Sequence, residues 1–378
     1  MLVAGCATTL PGPFYRGQVA PGAKPGDVLG LEAMAGAPAG AAAQRMLYVS
    51  TGLDGAPIAV SAVIIVPVGA APPGGRNVVA WAHPTTGVVS PCAPSLRKEL
   101  FDRIPGLAAI LAQGQVVVAT DYPGLGTPGP HPYLIGVSEA RAVLDSVRAV
   151  QRVADVKATS RFAVWGHSQG GHAALFAGEI ARQYAPELTV VGVAAAAPAT
   201  DLGTLLRDDL DTAIGKMLTS YALLSWLRVY NATLVGTVQP QAMNAVGEIA
   251  DICLESRAEL MQASIEARPL ANGFLQGKPF GNEPWKSLLT QNVPGQAAAG
   301  APVFISQGSV DTIVRPDVTA AFVDGLCRRG EKVRIVDLTG VDHFTIGMVS
   351  AAAAVQWMTA RFEGAVPPDD CAQRATKR

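Results

Sequence analysis

The chain predicts a doubly wound, mostly parallel α/β sheet, and three observations carry that reading. Short apolar runs alternate with stretches of helical apolar spacing along most of the 378 residues, the pattern of strands joined by crossover helices. A hairpin opens the series. One strand-like run, in RFAVWGHSQGG from Arg161 to Gly171, stops abruptly at a glycine-flanked serine and gives way to a helical segment. That serine therefore sits on a strand-to-helix turn, at the edge where such sheets bind ligands.

In chain order, residues 1–43 are rich in proline, glycine and alanine and read as a signal remnant followed by an extended arm. Arg45 to Ser50, the turn TGLDG and Ile58 to Val66 form the hairpin. Pro72, Pro73, Gly74 and Gly75 break the chain before a strand from Asn77 to Trp81. A helix over about Ser95 to Gln113 leads to a strand from Gln115 to Thr120. A second helix, with Ala140, Val143, Leu144, Val147 and Val150 on one face, leads to the serine-bearing strand, Phe162 to Trp165. Strands at Thr189 to Ala195, Pro302 to Gln307 and Lys332 to Leu338, with helices near Asp317 to Arg328 and Ile346 to Phe362, complete eight strands.

Between these segments the alternation fails. Residues 199–300 carry helical periodicity, for example Leu202, Leu205, Leu206, Leu210, Ile214, Met217 and Leu218, and read as a helical cap inserted into a core of residues 44–198 and 301–378. Its large side chains, Tyr221, Leu223, Leu224, Trp226, Leu227, Tyr230, Phe274, Phe280 and Trp285, are expected mainly in the cap's own core. A few are expected to line an apolar cleft where cap meets sheet.

Composition excludes some partners. Apolar residues make up 49%, charged ones 16%, and the net charge is -1, so no basic field recruits nucleic acid or anionic lipid. No apolar run reaches the roughly 18 residues of a spanning helix. The start resembles the end of a lipoprotein signal, with Val3-Ala4-Gly5-Cys6 as a lipobox, so export to the medium or periplasm is expected, with Cys6 a lipidation candidate. The other four cysteines, Cys92, Cys253, Cys327 and Cys371, form no C-x-x-C pair, which argues against a zinc site and, in an oxidising compartment, for two disulfides. Neither metal nor organic cofactor is expected.

Ser168, in GHSQG, has the small neighbours that a nucleophile elbow needs, and Gln169 behind it begins a helix where its backbone N–H can stabilise an oxyanion. A serine hydroxyl needs a base and an acid to orient that base. Of the five histidines, His343 follows the last strand at the carboxyl edge, whereas His83, His131, His167 and His172 suit structural bonds or the pocket wall. Asp311, after the seventh strand, is the candidate acid; Asp201 is the runner-up, and Asp342 is too close in sequence to reach the ring it adjoins. The resulting order, Ser168, Asp311, His343, is that of an α/β-hydrolase. The second oxyanion donor is expected from WAHPTTG, at Thr86 or Thr85.

On NVVAWAHPTTG with CAPS, ATDYPGLGTPG, GHSQGGHAALFAGEIARQYAPEL, QGSVDTIV and GVDHF, the chain resembles the secretory lipase family of α/β-hydrolases, the lipase A-like group. The resemblance implies Ser168 as nucleophile, Asp311 as acid, His343 as base, oxyanion donors at Gln169 and Thr86, an acyl-binding cap, and pairs Cys92–Cys253 and Cys327–Cys371. Only AQRATKR follows Cys371, where fungal members continue into a flap, so a more open cleft is expected. The reading is a serine ester hydrolase acting through an acyl-enzyme on acyl glycerols or other apolar, bulky or aromatic esters. The alternatives are a polyester hydrolase, a peptidase or carbon–carbon hydrolase with the same triad, and a non-catalytic binding module.

Overall fold

Stretches such as VVVAT, buried at every position, have no amphipathic helical face to offer and become the inner strands of a sheet covered on both sides. The computed structural model describes residues 10–375. Its strands are β1 (Val28–Met34), β2 (Ala41–Thr51), β3 (Pro57–Pro67), β4 (Arg76–Ala82), β5 (Val116–Thr120), β6 (Ala158–His167), β7 (Thr189–Ala196), β8 (Val303–Gly308) and β9 (Val333–Leu338). They form one sheet in the order β1-β2-β3-β5-β4-β6-β7-β8-β9. The pairs from β1 to β5 are antiparallel, and those from β5 through β9 parallel.

The helices are α1 (Leu107–Ala112), α2 (Gly136–Gln151), α3 (Gln169–Tyr184), α4 (Leu202–Asp208), α5 (Ala213–Tyr230), α6 (Met243–Ala250), α7 (Arg257–Glu266), α8 (Trp285–Gln291), α9 (Pro316–Arg328), α10 (Ile346–Phe362) and α11 (Cys371–Ala375). Buried side chains of α2, α3 and α9 cover one face of the sheet. Those of α1 and α10 cover the other, in a core continuous with that of the inserted helices. None of the described helices is long and apolar enough to cross a membrane.

Two expectations need correction. The sheet has nine strands, not eight. The extra one, β1, lies in the stretch read as an extended arm and pairs antiparallel with β2, from Gly30 opposite Leu47 to Met34 opposite Ala43. It is an edge strand with three exposed residues, so it lacks the apolar signature of a buried strand. The helix expected over Ser95 to Gln113 is also absent as such. Short 3-10 turns occupy residues 94–96 and 101–103, and only Leu107–Ala112 is α-helical. Pro105 holds Ile104 in extended backbone, and Gly106 takes φ 77°, which together stop a continuous helix.

The inserted helices α4 to α8 lie between β7 and β8. Trp226 of α5 stacks on Trp285 of α8 with ring centroids 5.9 Å apart, and Tyr221, also of α5, is fully buried with its ring edge-on to Tyr133. Two disulfides brace the chain: Cys92–Cys253 joins the loop after β4 to the insertion, and Cys327–Cys371 joins α9 to α11. The first spans 161 positions, a closure worth at most about 5 kcal/mol. The Cys92→Ser/Cys253→Ser variant is expected to lose roughly 2–5 kcal/mol of unfolding free energy in urea titrations. A loss under about 0.5 kcal/mol would show that this bridge does not restrain the unfolded chain.

Candidate active site

The strand β6 delivers Ser168 to the start of α3 through a turn in which the serine takes φ 56° and ψ -117°. A non-glycine residue adopts such a backbone only when its surroundings enforce it. Here the enforcement is close packing. A Cβ at Gly166 would run into the carbonyl of Gly170, and one at Gly170 into the carbonyl of Ala82 at the end of β4. The serine N–H donates to the carbonyl of Ala196 at 2.9 Å, tying the turn to the end of β7.

His343 Nε2 lies 2.8 Å from Ser168 Oγ. Its Nδ1 lies 2.8 Å from Asp311 Oδ2. Because the carboxylate only accepts, Nδ1 carries the hydrogen and Nε2 is left to accept the serine proton. Asp311 is itself held by the backbone N–H groups of Ile313 and Val314, at 2.9 and 2.8 Å from Oδ1, and by Gln307 Nε2 at 3.3 Å from Oδ2. The three groups come from the ends of β6, β8 and β9 and meet at one sheet edge. Asp201 and Asp342 stay outside this arrangement. Each caps a turn, Asp201 accepting from Thr204 and Asp342 from Thr345.

The remaining histidines are bound elsewhere. His167 donates from Nε2 to the carbonyl of His343 at 2.9 Å, and burial next to that second imidazole pushes its pKa down to about 3. His83 faces the carbonyls of Pro84 and Asp121, and burial lowers its pKa to about 4. His131 and His172 belong to a buried polar cluster behind Gln169.

Gln169 is the first residue of α3, where a backbone N–H has no acceptor within the helix. Across the cleft, the Thr86 hydroxyl is buried without a partner, whereas that of Thr85 bonds Tyr133 Oη at 2.9 Å. Thr86 is therefore the threonine with hydrogen-bonding capacity to spare. Its carbonyl accepts from Leu254 N–H at 2.8 Å, beside the Cys92–Cys253 bridge, so the disulfide steadies this loop.

A cavity of about 300 Å³ opens on Ser168 and His343 and is mainly apolar. Ile214, Met217, Leu218, Leu254 and Leu260 of the insertion form much of its wall, with Trp81 and Leu100 from the sheet side. Of the nine large insertion side chains, expected mainly in the insertion's own core with a few lining the cleft, none lines it. They are spent on the insertion's own core, and medium-sized aliphatic residues nearer the sheet face the cavity instead. Two wall residues are acidic, Asp102 and Glu255, and burial pushes the Glu255 carboxyl up to about 7, against the opposing pull of Arg97 and Arg103.

His167 makes a structural bond of the kind expected of it, to the His343 carbonyl, and lines the cavity; sequence reasoning missed Glu139, which lies behind Gln169. Nothing in the local pattern marks Glu139. It looks like any acidic residue in the first turn of a helix. Cys6 lies outside the described residues. Among the described residues, no cluster of histidine, cysteine or acidic side chains has a metal-binding arrangement.

Residues 104–370 match the family model described as Secretory lipase. The chain belongs to that family. A lipase A from Moesziomyces aphidis is 26% identical over 275 residues, covering 69% of this chain and 57% of the relative. A Mycobacterium tuberculosis relative named "Probable inactive lipase" is 26% identical over 347 residues, covering 85% of this chain and 74% of that one. The chain thus spans little more than half of the first relative and about three quarters of the second. Among solved structures, that of Candida antarctica lipase A superposes with a TM-score of 0.77 at 19% identity, covering 95% of this chain and 87% of the other, a likeness of fold. Membership of a secretory family and two disulfides indicate an extracellular member.

His167 also gives this site a defined response to acid. An unfolded histidine titrates near 6.5 and the folded one near 3, so between these values the unfolded chain binds the extra proton. Stability from this group is complete above about pH 6.5 and is lost as pH falls towards 3. His167→Gln, whose amide can still donate to the His343 carbonyl, is expected to lose less stability than wild type between pH 6.5 and 4, read from urea midpoints. Parallel losses in the two proteins would contradict this assignment.

Proposed function

We propose that this protein hydrolyses carboxylic esters through an acyl-enzyme, with Ser168 as nucleophile, His343 as base and Asp311 as the acid that orients it. The observation that carries the proposal is the unbroken line of two 2.8 Å contacts from Asp311 through His343 to Ser168 at the mouth of an apolar cavity. His343 takes the serine proton as Ser168 Oγ attacks the ester carbonyl, and returns it to the departing alcohol. Water then attacks the acyl-enzyme by the same relay in reverse. The Gln169 and Thr86 backbone N–H groups face the oxyanion, and the spare Thr86 hydroxyl adds a third donor.

In this reading residues 199–300 are a cap on the core formed by 44–198 and 301–378, and the cap contributes the aliphatic half of the substrate wall. The cavity is near the small end of the usual range for ligand sites, roughly 300–1,000 Å³. Esters of short to medium acyl chains, or with one compact aromatic group, suit it better than long triglycerides. The periplasmic location and acyl anchor rest on Val3-Ala4-Gly5-Cys6 alone. Although one relative is named as inactive, here serine, imidazole and carboxylate all lie within hydrogen-bonding reach, which supports catalysis over a binding role.

Ser168→Ala is expected to lower kcat for p-nitrophenyl butyrate by roughly 10³–10⁶ while leaving the thermal midpoint within about 2 °C. Activity within tenfold of wild type would remove Ser168 from the mechanism. In Glu255→Gln, which removes the wall carboxyl that titrates near 7, the acid limb of kcat/KM should fall with a slope of one proton, because His83 and His167 are neutral above about pH 4 and 3 and add no second ionisation. A slope of two would contradict a single imidazole base.

A further inference from the structure

Directly behind the turn that carries Ser168 lies a cluster of polar side chains with no access to solvent: Glu139 and His172 are fully buried, Gln169 and His131 almost so. Burying this much polarity is costly unless the groups are matched, and in this cluster all but the Gln169 side-chain oxygen have partners. Glu139 Oε1 accepts from the Gln169 side-chain amide at 2.8 Å and from the Leu134 N–H at 3.0 Å. Glu139 Oε2 lies 2.8 Å from His172 Nδ1. The Gln169 amide has a second contact, 3.2 Å to His131 Nε2. His131 Nδ1 faces the carbonyl of Pro123 at 2.9 Å, so that nitrogen carries the hydrogen and Nε2 accepts from Gln169. Two acceptors thus fix which end of the Gln169 amide points inward.

The consequence lies in the peptide joining Ser168 to Gln169. Its N–H is the oxyanion donor proposed above, and its carbonyl accepts from the backbone N–H of His172 at 3.0 Å. Glu139 therefore grips both sides of this peptide. It holds Gln169 through the side-chain amide, and through the ring it holds His172, whose backbone anchors the other end. His172 Nε2 faces the carbonyl of Asn292 at 2.8 Å, and Asn292 Oδ1 accepts from Gly136 N–H at 3.0 Å. Asn292 directly follows α8, so the same cluster connects the inserted helices to the oxyanion side of the site.

We propose that Glu139 is a positioning residue for the oxyanion hole, acting through the Gln169 side chain and the His172 ring on the peptide between Ser168 and Gln169. This rests on the reading of Ser168 as nucleophile and of the Gln169 N–H as oxyanion donor. The geometry also predicts which replacement is tolerated. Glutamine at 139 keeps an acceptor for Leu134 and Gln169 and turns its NH₂ to His172 Nδ1, which then accepts with its hydrogen on Nε2. Alanine or leucine leaves the Leu134 N–H and His172 Nδ1 unmatched and the Gln169 amide with His131 alone.

The test is steady-state kinetics on Glu139→Ala, Glu139→Gln and Gln169→Ala, with the inhibition constant of a trifluoromethyl ketone, which forms a tetrahedral oxyanion on the serine. Glu139→Ala should lower kcat by roughly 10–100-fold with KM within about threefold, and weaken the ketone by the same factor. Glu139→Gln should stay within about threefold of wild type on both readouts. Gln169→Ala, which leaves Leu134 and His172 bound to Glu139 and so keeps the fold, should show the same pattern at roughly 5–20-fold; it decides the matter if Glu139→Ala does not fold. The proposal is overturned if Gln169→Ala keeps wild-type kcat and ketone affinity, or if folded Glu139→Ala loses only thermal stability. A fluorophosphonate that labels wild type but not Ser168→Ala separates this failure from failure of the serine mechanism itself.

Discussion

The structure depends on one strained turn. Ser168 holds a backbone conformation that non-glycine residues avoid, and it does so because β4, β6 and the start of α3 approach too closely for any side chain at Gly166 or Gly170. That closeness places the serine oxygen at the open edge of the sheet and the first N–H of α3 beside it. Relaxing the turn would separate the two. The energy held there, on the order of 1–3 kcal/mol for one residue in a sparsely populated region, is small against the packing of β6 between β4 and β7 and of α3 on the sheet.

Two kinds of histidine surround this turn, and their environments separate them. His343 has a carboxylate on one nitrogen and the serine on the other, an arrangement that lets the ring accept a proton and stabilises it afterwards. His167 and His83 are buried with only backbone carbonyls as partners, and desolvation keeps them neutral. Of the five, His343 alone combines a charged partner with access to the cavity. His172 also meets a carboxylate, but in a sealed cluster where its ring reaches no cavity.

The insertion divides its labour by size. Its tryptophans and tyrosines pack against one another, as Trp226 does on Trp285, and make the insertion rigid enough to carry a wall. Ile214, Met217 and Leu218, on the part of α5 that approaches the sheet, form that wall. The Cys92–Cys253 bridge joins this layer to the loop bearing Thr86, so the substrate wall and the oxyanion side of the cleft are covalently linked.

The sequence by itself determined the alternating sheet, the serine turn and the candidate order Ser168, Asp311, His343, because each is written in local periodicity or in residues adjacent along the chain. The boundaries of β5, α9 and α10 lie close to their apolar patterns for the same reason. Tertiary structure alone decided the rest. The edge strand β1 exists through pairing with β2 rather than through burial, so its residues carry no apolar signature. Pro105 and Gly106 outweighed the helical spacing around them, and the choice of cavity wall followed from which turn of α5 faces the sheet. Glu139 and His167 gained their partners only on folding: Gln169 is 30 positions from Glu139, and the carbonyl bound by His167 is 176 positions away. Hydrogen bonds between such distant groups leave no periodic trace, since a polar side chain reads alike whether it meets water or a buried partner.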